Sequence, residues 1–293
     1  MPRQLQIARR GCVGVLFGVL LALGASTSAL AHEGEFAKFN NCPSTNSEVR
    51  KCLDSLTVGG KIILGKKETP IESTVTLQGG YSKPNAETHI AKFFEATNKI
   101  TLSKTPQNVP GGLLGIVPPE SSPPLVKLLS KFFFENSITG VKATLELAKP
   151  ASEIQISEFN LLNEEGLALK LPVKVRLENP FLGSSCYVGS SSSPMIWNLT
   201  TGTTKPPAGF TPIHGSVGEL EGKEEDEIIE LLGNELVEND WTAPEATGCG
   251  GILSFLVDPV IDAELGLPAK AGVSSAVLKN NISIASAAAV NIH

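Results

Sequence analysis

Apolar and polar residues alternate in short runs along much of the chain, and the longest run organises the rest. Leu167, Leu169, Leu171, Val173, Val175 and Leu177 sit on odd positions with Lys170, Lys174 and Arg176 between them. That period of two predicts a strand with one face buried. The stretch 167–187 then turns and delivers Cys186, so it forms the spine of the domain. Ile71, Val75 and Leu77 alternate with Thr74 and Thr76 until Gly79 and Gly80 stop the run. Val141, Ala143, Leu145 and Leu147 alternate with Lys142, Thr144 and Glu146, and Ile154 with Ile156 starts another run. Met195, Trp197 and Leu199 add one more, while 252–257 and Ile282 with Ile284 supply closing strands. Short alternating runs separated by turns predict a mainly β chain with an antiparallel β-sandwich or barrel-like core. Pro172 puts a bend or an edge into the longest strand.

One segment has helical spacing. Across 123–134, Ser122 can cap, Pro123 suits a first turn, and Leu125, Leu128, Leu129, Phe132 and Phe133 share a face away from Lys127 and Lys131. The expectation is one amphipathic helix packed on the β-core, with a membrane-surface helix as the alternative. The apolar segment 108–120, punctuated by Pro and Gly, is read as a buried loop rather than an exposed contact. Segment 219–240 carries ten acids against one lysine. It reads as a solvated loop or hairpin; without a calcium-loop pattern, cation binding by it is left open.

The first 31 residues change the compartment rather than the fold. Arg3, Arg9 and Arg10 precede an apolar run from Val13 to Leu23 and then Ala29-Leu30-Ala31. This is the order of a secretory signal cut after Ala31. The apolar run has about 11 residues, short of the roughly 20 that span a bilayer. Residues 32–293 then form the exported β-rich domain, as one unit or as two subdomains with a helical insertion near 123–134. The whole chain has a net charge of −6, and losing three arginines and no acid leaves −9. That disfavours nucleic acid and anionic membranes as partners. A cell-envelope or extracellular partner fits better.

An even set of four cysteines follows the signal, Cys42, Cys52, Cys186 and Cys249. In an exported chain these read as disulfides, with three pairings open. The favoured pairing is Cys42 with Cys52 and Cys186 with Cys249. Chain entropy gives such loops roughly 2.7 and 4.3 kcal/mol, before strain.

Motifs for chemistry are sparse. The sequence has no G-x-S-x-G, H-E-x-x-H or phosphate loop, and four histidines in all. The serines at 190–193 lack an adjacent base. A free His32 at the mature N-terminus can chelate copper through its amine and ring, with His89 or His214 closing the site. That arrangement is similar to the copper brace of lytic polysaccharide monooxygenases; the alternative is a polar, frayed tail. Several stretches, TLSKTPQNVPGGLLG at 101–115, LPVKVRLENPFLGSSCYVGS at 171–190 and LTTGTT at 199–204 among them, resemble a group of exported actinobacterial proteins without an assigned activity. The resemblance implies export and a compact disulfide-linked fold, and it transfers no cofactor or catalytic residue. The expectation is a secreted or cell-surface structural or binding protein without catalysis of its own. A copper-dependent polysaccharide oxidase and a membrane-surface-associated protein are the alternatives.

Overall fold

The computed structural model describes residues 34–112, 120–130, 139–222 and 227–292. In chain order the strands are β1 (Val49–Leu64), β2 (Lys67–Pro70), β3 (Val75–Ser82), β4 (Ala91–Glu95) and β5 (Pro106–Val109), followed by helix α1 (Pro124–Ser130). Then come β6 (Val141–Leu147), β7 (Gln155–Ile156), α2 (Glu158–Asn163), β8 (Leu169–Glu178), β9 (Tyr187–Val188) and β10 (Met195–Leu199). The last part holds β11 (Glu219–Glu221), β12 (Ile228–Glu238), β13 (Ala246–Thr247), α3 (Ser254–Leu265), β14 (Ser275–Ser286) and α4 (Ala287–Ile292). The chain is mainly β, as the alternating runs predict.

All fourteen strands join one antiparallel sheet along the path β11-β12-β14-β1-β3-β4-β7-β8-β6-β5, with β2, β9, β10 and β13 attached at its sides. The sheet folds over at β4, which pairs with β3 on one side and β7 on the other. Among the described residues no continuous ladder closes it. An isolated bridge links the end of β10 to β12 instead: Thr200 N donates to Val237 O at 3.1 Å and Val237 N to Thr200 O at 2.9 Å. Beside that bridge the carboxylate of Glu238, which is buried, accepts from Asn198 N at 3.1 Å and from Asp240 N.

Local chemistry explains the curvature. In β1 the register against β14 shifts between Thr57 and Gly59. The next residue, Gly60, has φ +100° and leaves no room for a side chain, since a Cβ there would lie 2.0 Å from Val277 O. A bulge with glycine at its tight point bends a long strand. Strand β8 alternates as the sequence predicts, its leucines and valines buried. It is not an edge, however. Pro172 falls where its neighbour changes from β7, paired at 169–170, to β6, paired at 173–178, so the missing N–H leaves no gap in either ladder.

Both disulfides have the favoured pairing, Cys42–Cys52 and Cys186–Cys249. The first anchors a small outer layer, in which Phe36, Phe39, Ala287 and Val290 pack against the back of β1 and β14. The second links the segments carrying β9 and β13.

Two helical expectations need correction. The segment 252–257, expected as a strand, belongs to a 3-10 turn and to α3. Its five apolar residues have no decisive period of their own; Asp258 and Asp262, four apart, set the helical face. Helix α1 does not pack on the core through its described side chains, because Leu125 and Leu128 are each 65% exposed. The place against the sheet is taken by α3, which buries Ile261 and Leu265. Leu129, Phe132 and Phe133 lie outside the residues whose side chains are described.

Beneath the outer layer, Asp54 is 8% exposed, and burial pushes its carboxyl up to about 6 against the opposing pull of Lys38. Lys38 itself is bound to Glu230 and Glu35. A carboxyl raised on folding favours the fold below its unfolded range, and this contribution is lost as pH rises through the folded value. Replacing Asp54 with Asn should raise the unfolding temperature relative to the parent at about pH 8, with the gap closing between about pH 6 and pH 4. Thermal melts across that range read it; a constant gap would refute the assignment to Asp54.

Candidate functional site

Between the two halves of the folded sheet the described residues of the core do not fill their space. They enclose about 1230 Å³ free of atoms, solvent at the mouth included, of which about 100 Å³ admits the centre of a water-sized sphere. Interiors normally hold few voids larger than water.

The walls follow from strand alternation. On one side the inward positions of β1, β3 and β14 supply Ser55, Thr57, Leu77 and Leu278; on the other, β6 and β8 supply Ala143, Leu145, Leu171 and Val175. Helix α3 adds Ile261 and Leu265, and the loop after β5 adds Gly112. The polar groups on the wall largely satisfy one another. Thr57 Oγ1 donates to Asn280 Oδ1 at 2.7 Å, and Asn280 Nδ2 donates to Leu278 O at 2.9 Å. Gln107 accepts from the amides of Glu72 and Ser73 at 2.9 and 3.0 Å, stitching the loop after β2 to β5.

One ion pair stands out against this lining. Lys67 Nζ lies 3.0 Å from Glu264 Oε1, with the lysine side chain 15% exposed and the glutamate 45%. Among the described residues these are the charged side chains that line the cavity. Lys67 opens β2, immediately after the tight turn at Gly65 and Lys66. Gly65 has φ +59°, a Cβ there would lie 2.0 Å from Leu265 O, and Lys66 N donates to that same carbonyl at 2.7 Å. The hairpin of β1 and β2 is thereby held on the C-terminal end of α3.

Helix α3 is held from below by its acids. The Asp258 carboxylate accepts from Gly248 N at 3.1 Å and Cys249 N at 2.7 Å, and Asp262 Oδ1 accepts from Ala246 N at 2.7 Å. With those charges turned inward, the outer surface of the turn and helix is apolar: Ile252 is 94% exposed, Phe255 70% and Val260 64%. Pro259 sits within the helix.

The other residues singled out in the sequence lie elsewhere. His89 stacks on Phe159 with ring centroids 4.3 Å apart, and His214 Nδ1 is 2.8 Å from Thr203 Oγ1. His32 lies outside the described residues. Among the described residues no three His, Cys, Asp or Glu side chains converge as a metal site. Segment 219–240 contains the hairpin of β11 and β12, whose Leu231, Leu236 and Val237 are buried; residues 223–226 lie outside the description. The serines at 190–193 form a local turn, with Ser193 N donating to Ser190 Oγ at 3.0 Å. In segment 108–120, Val109 and Gly112 line the cavity and 113–119 lie outside the description. Among the described residues, no helix is long and apolar enough to cross a membrane.

Sequence reasoning did not find the cavity. Alternation tells which residues face inward and not whether the facing walls meet. A weak signal was present in the small or polar residues at inward positions, Ser55, Thr57, Ala143 and Asn280. No protein-family model, curated protein or solved structure matches the chain.

If Asp258 and Asp262 fix α3 over the cavity, Asp258→Ala should lower stability by about 1.5–3 kcal/mol, the range for hydrogen bonds to charged groups. Urea unfolding, with hydrogen exchange at the Gly248 and Cys249 amides, reads it. Unaltered exchange at those amides would show that α3 is held by packing alone.

Proposed function

We propose that the protein is an exported binding protein that carries a narrow apolar small molecule in this cavity and has no catalytic chemistry of its own. The observation that carries the reading is the unfilled, mostly apolar slot between the halves of the sheet. Well-formed apolar cavities with a few polar groups are the usual setting for small-molecule recognition. Neither histidine nor cysteine is among the described residues of its wall, and the hydroxyls there lack an adjacent base. Export is supported by the signal-like N-terminus and fits the two disulfides, which persist in oxidising compartments. The resemblance to exported actinobacterial proteins expected from the sequence implies export and transfers no activity.

Nile red, a neutral dye that brightens in apolar surroundings, tests it. The mature protein should bind about one equivalent in the cavity, and Ala143→Phe, which fills part of the slot, should cut that binding by at least about tenfold while unfolding cooperatively. Absence of saturable binding, or equal binding by the filled variant, would refute the cavity as the binding site.

Attachment to a lipid surface is a second reading, favoured by the outer face of α3. Asp258 and Asp262 are bound to backbone amides, Phe255, Leu256 and Val260 are exposed, and Ile261 and Leu265 on the reverse face line the cavity. Flotation with neutral phosphatidylcholine vesicles should recover the protein, and Phe255→Ser with Leu256→Ser should abolish recovery. Equal flotation of parent and variant would exclude this face.

A further inference from the structure

Within the carrier reading, on which this inference rests, we propose that the cavity selects a single-chain amphiphile with a carboxylate head, and that Lys67 binds the head by exchanging its partner Glu264. Three observations converge on this. The cavity lies between two facing strand walls, β1, β3 and β14 on one side and β6 and β8 on the other, and an unbranched chain is the shape that enters such a gap with least displacement of either wall. Its wall is apolar over most of its area, and its hydroxyl and amide groups at Thr57, Asn280 and Gln107 are already engaged with one another or with backbone. The remaining charged donor is Lys67, whose side chain is 15% exposed and whose Nζ lies 3.0 Å from Glu264 Oε1.

The chemistry of that pair sets its role. A withdrawn ammonium without a counter-charge is expensive, so the empty protein needs Glu264 as a placeholder. Glu264 is the more exposed member and sits one residue from the end of α3, so its side chain can swing to water when another carboxylate arrives. Lys67 cannot follow as easily, because the turn before it is fixed by Lys66 N on Leu265 O. The exchange conserves charge in the site: one carboxylate leaves the ammonium and another takes its place. A neutral head would have to break the pair without replacing it, and a cationic head would meet Lys67 directly.

Dodecanoic acid, its methyl ester and dodecyltrimethylammonium, titrated into the mature protein and read by calorimetry and by Nile red displacement, test the inference. The acid should bind at least about tenfold more tightly than the ester, which breaks the Lys67–Glu264 pair without replacing it, and the ammonium compound most weakly. In Lys67→Met, and in the double variant Lys67→Met with Glu264→Gln, which removes both charges, the acid-to-ester ratio should fall to about one. Glu264→Gln alone should raise that ratio, since the placeholder no longer competes. If none of the three compounds binds and Nile red does not bind, the carrier reading itself fails. If acid and ester bind equally in the parent, or the ratio survives in the double variant, the carrier reading stands and the head-group assignment is overturned. Preferential binding of the ammonium compound would also overturn it.

Discussion

A sheet that bounds an unfilled apolar space has to be held open against the tendency of apolar walls to meet and exclude both water and void. That constraint accounts for much of what is unusual in this chain. The fold-over at β4 brings the two walls face to face, and the bulge ending at Gly60 bends β1. The bridge at Thr200 and Val237 links the end of β10 to β12, with the buried carboxylate of Glu238 satisfying backbone donors beside it. None of these features fills the space; each fixes how far apart the walls stand. Their combined effect is a wall geometry that keeps a cavity between the described strands.

The cavity is finished by polar tethers rather than by further strand pairing. Asp258 and Asp262 bind three backbone amides across 246–249 and hold α3 against the opening, and the Cys186–Cys249 bond fixes the segment they grip. The hairpin of β1 and β2 closes on the far end of the same helix through Lys66 and the ion pair of Lys67 and Glu264. Helix α3 is thus a common neighbour of the disulfide, the hairpin and the slot, while its outward surface stays apolar. The two proposed roles, binding in the cavity and contact at the surface, therefore converge on one element of 12 residues.

Much of this was legible in the residues, and the parts that were not have physical reasons. The alternation from Leu169 to Leu177 marks β8 and its buried face because the period of a strand is imposed locally by the backbone. The disulfide partners were open to argument because loop length and an even count constrain them. The helix at 254–265 was hidden because five apolar residues around Ser254 have no clear period and a proline follows nearby, and its identity depends on where two aspartates find backbone amides. Helix α1 misled in the other direction. Leu125 and Leu128 form a regular apolar face, but amphipathic spacing states only that a face is apolar, and the sheet surface was already taken by Ile261 and Leu265. The cavity and the Lys67–Glu264 pair depend on tertiary separation between strands, and local sequence does not encode that separation in any readable pattern.

Methyl-resolved NMR of the mature protein, titrated with a long-chain carboxylic acid, tests the cavity most directly. The account predicts shifts that saturate at one equivalent and centre on the methyls of Leu171, Val175 and Leu278, inside the slot. Shifts confined to the exposed methyls of Ile252, Leu256 and Val260, or none that saturate, would contradict it.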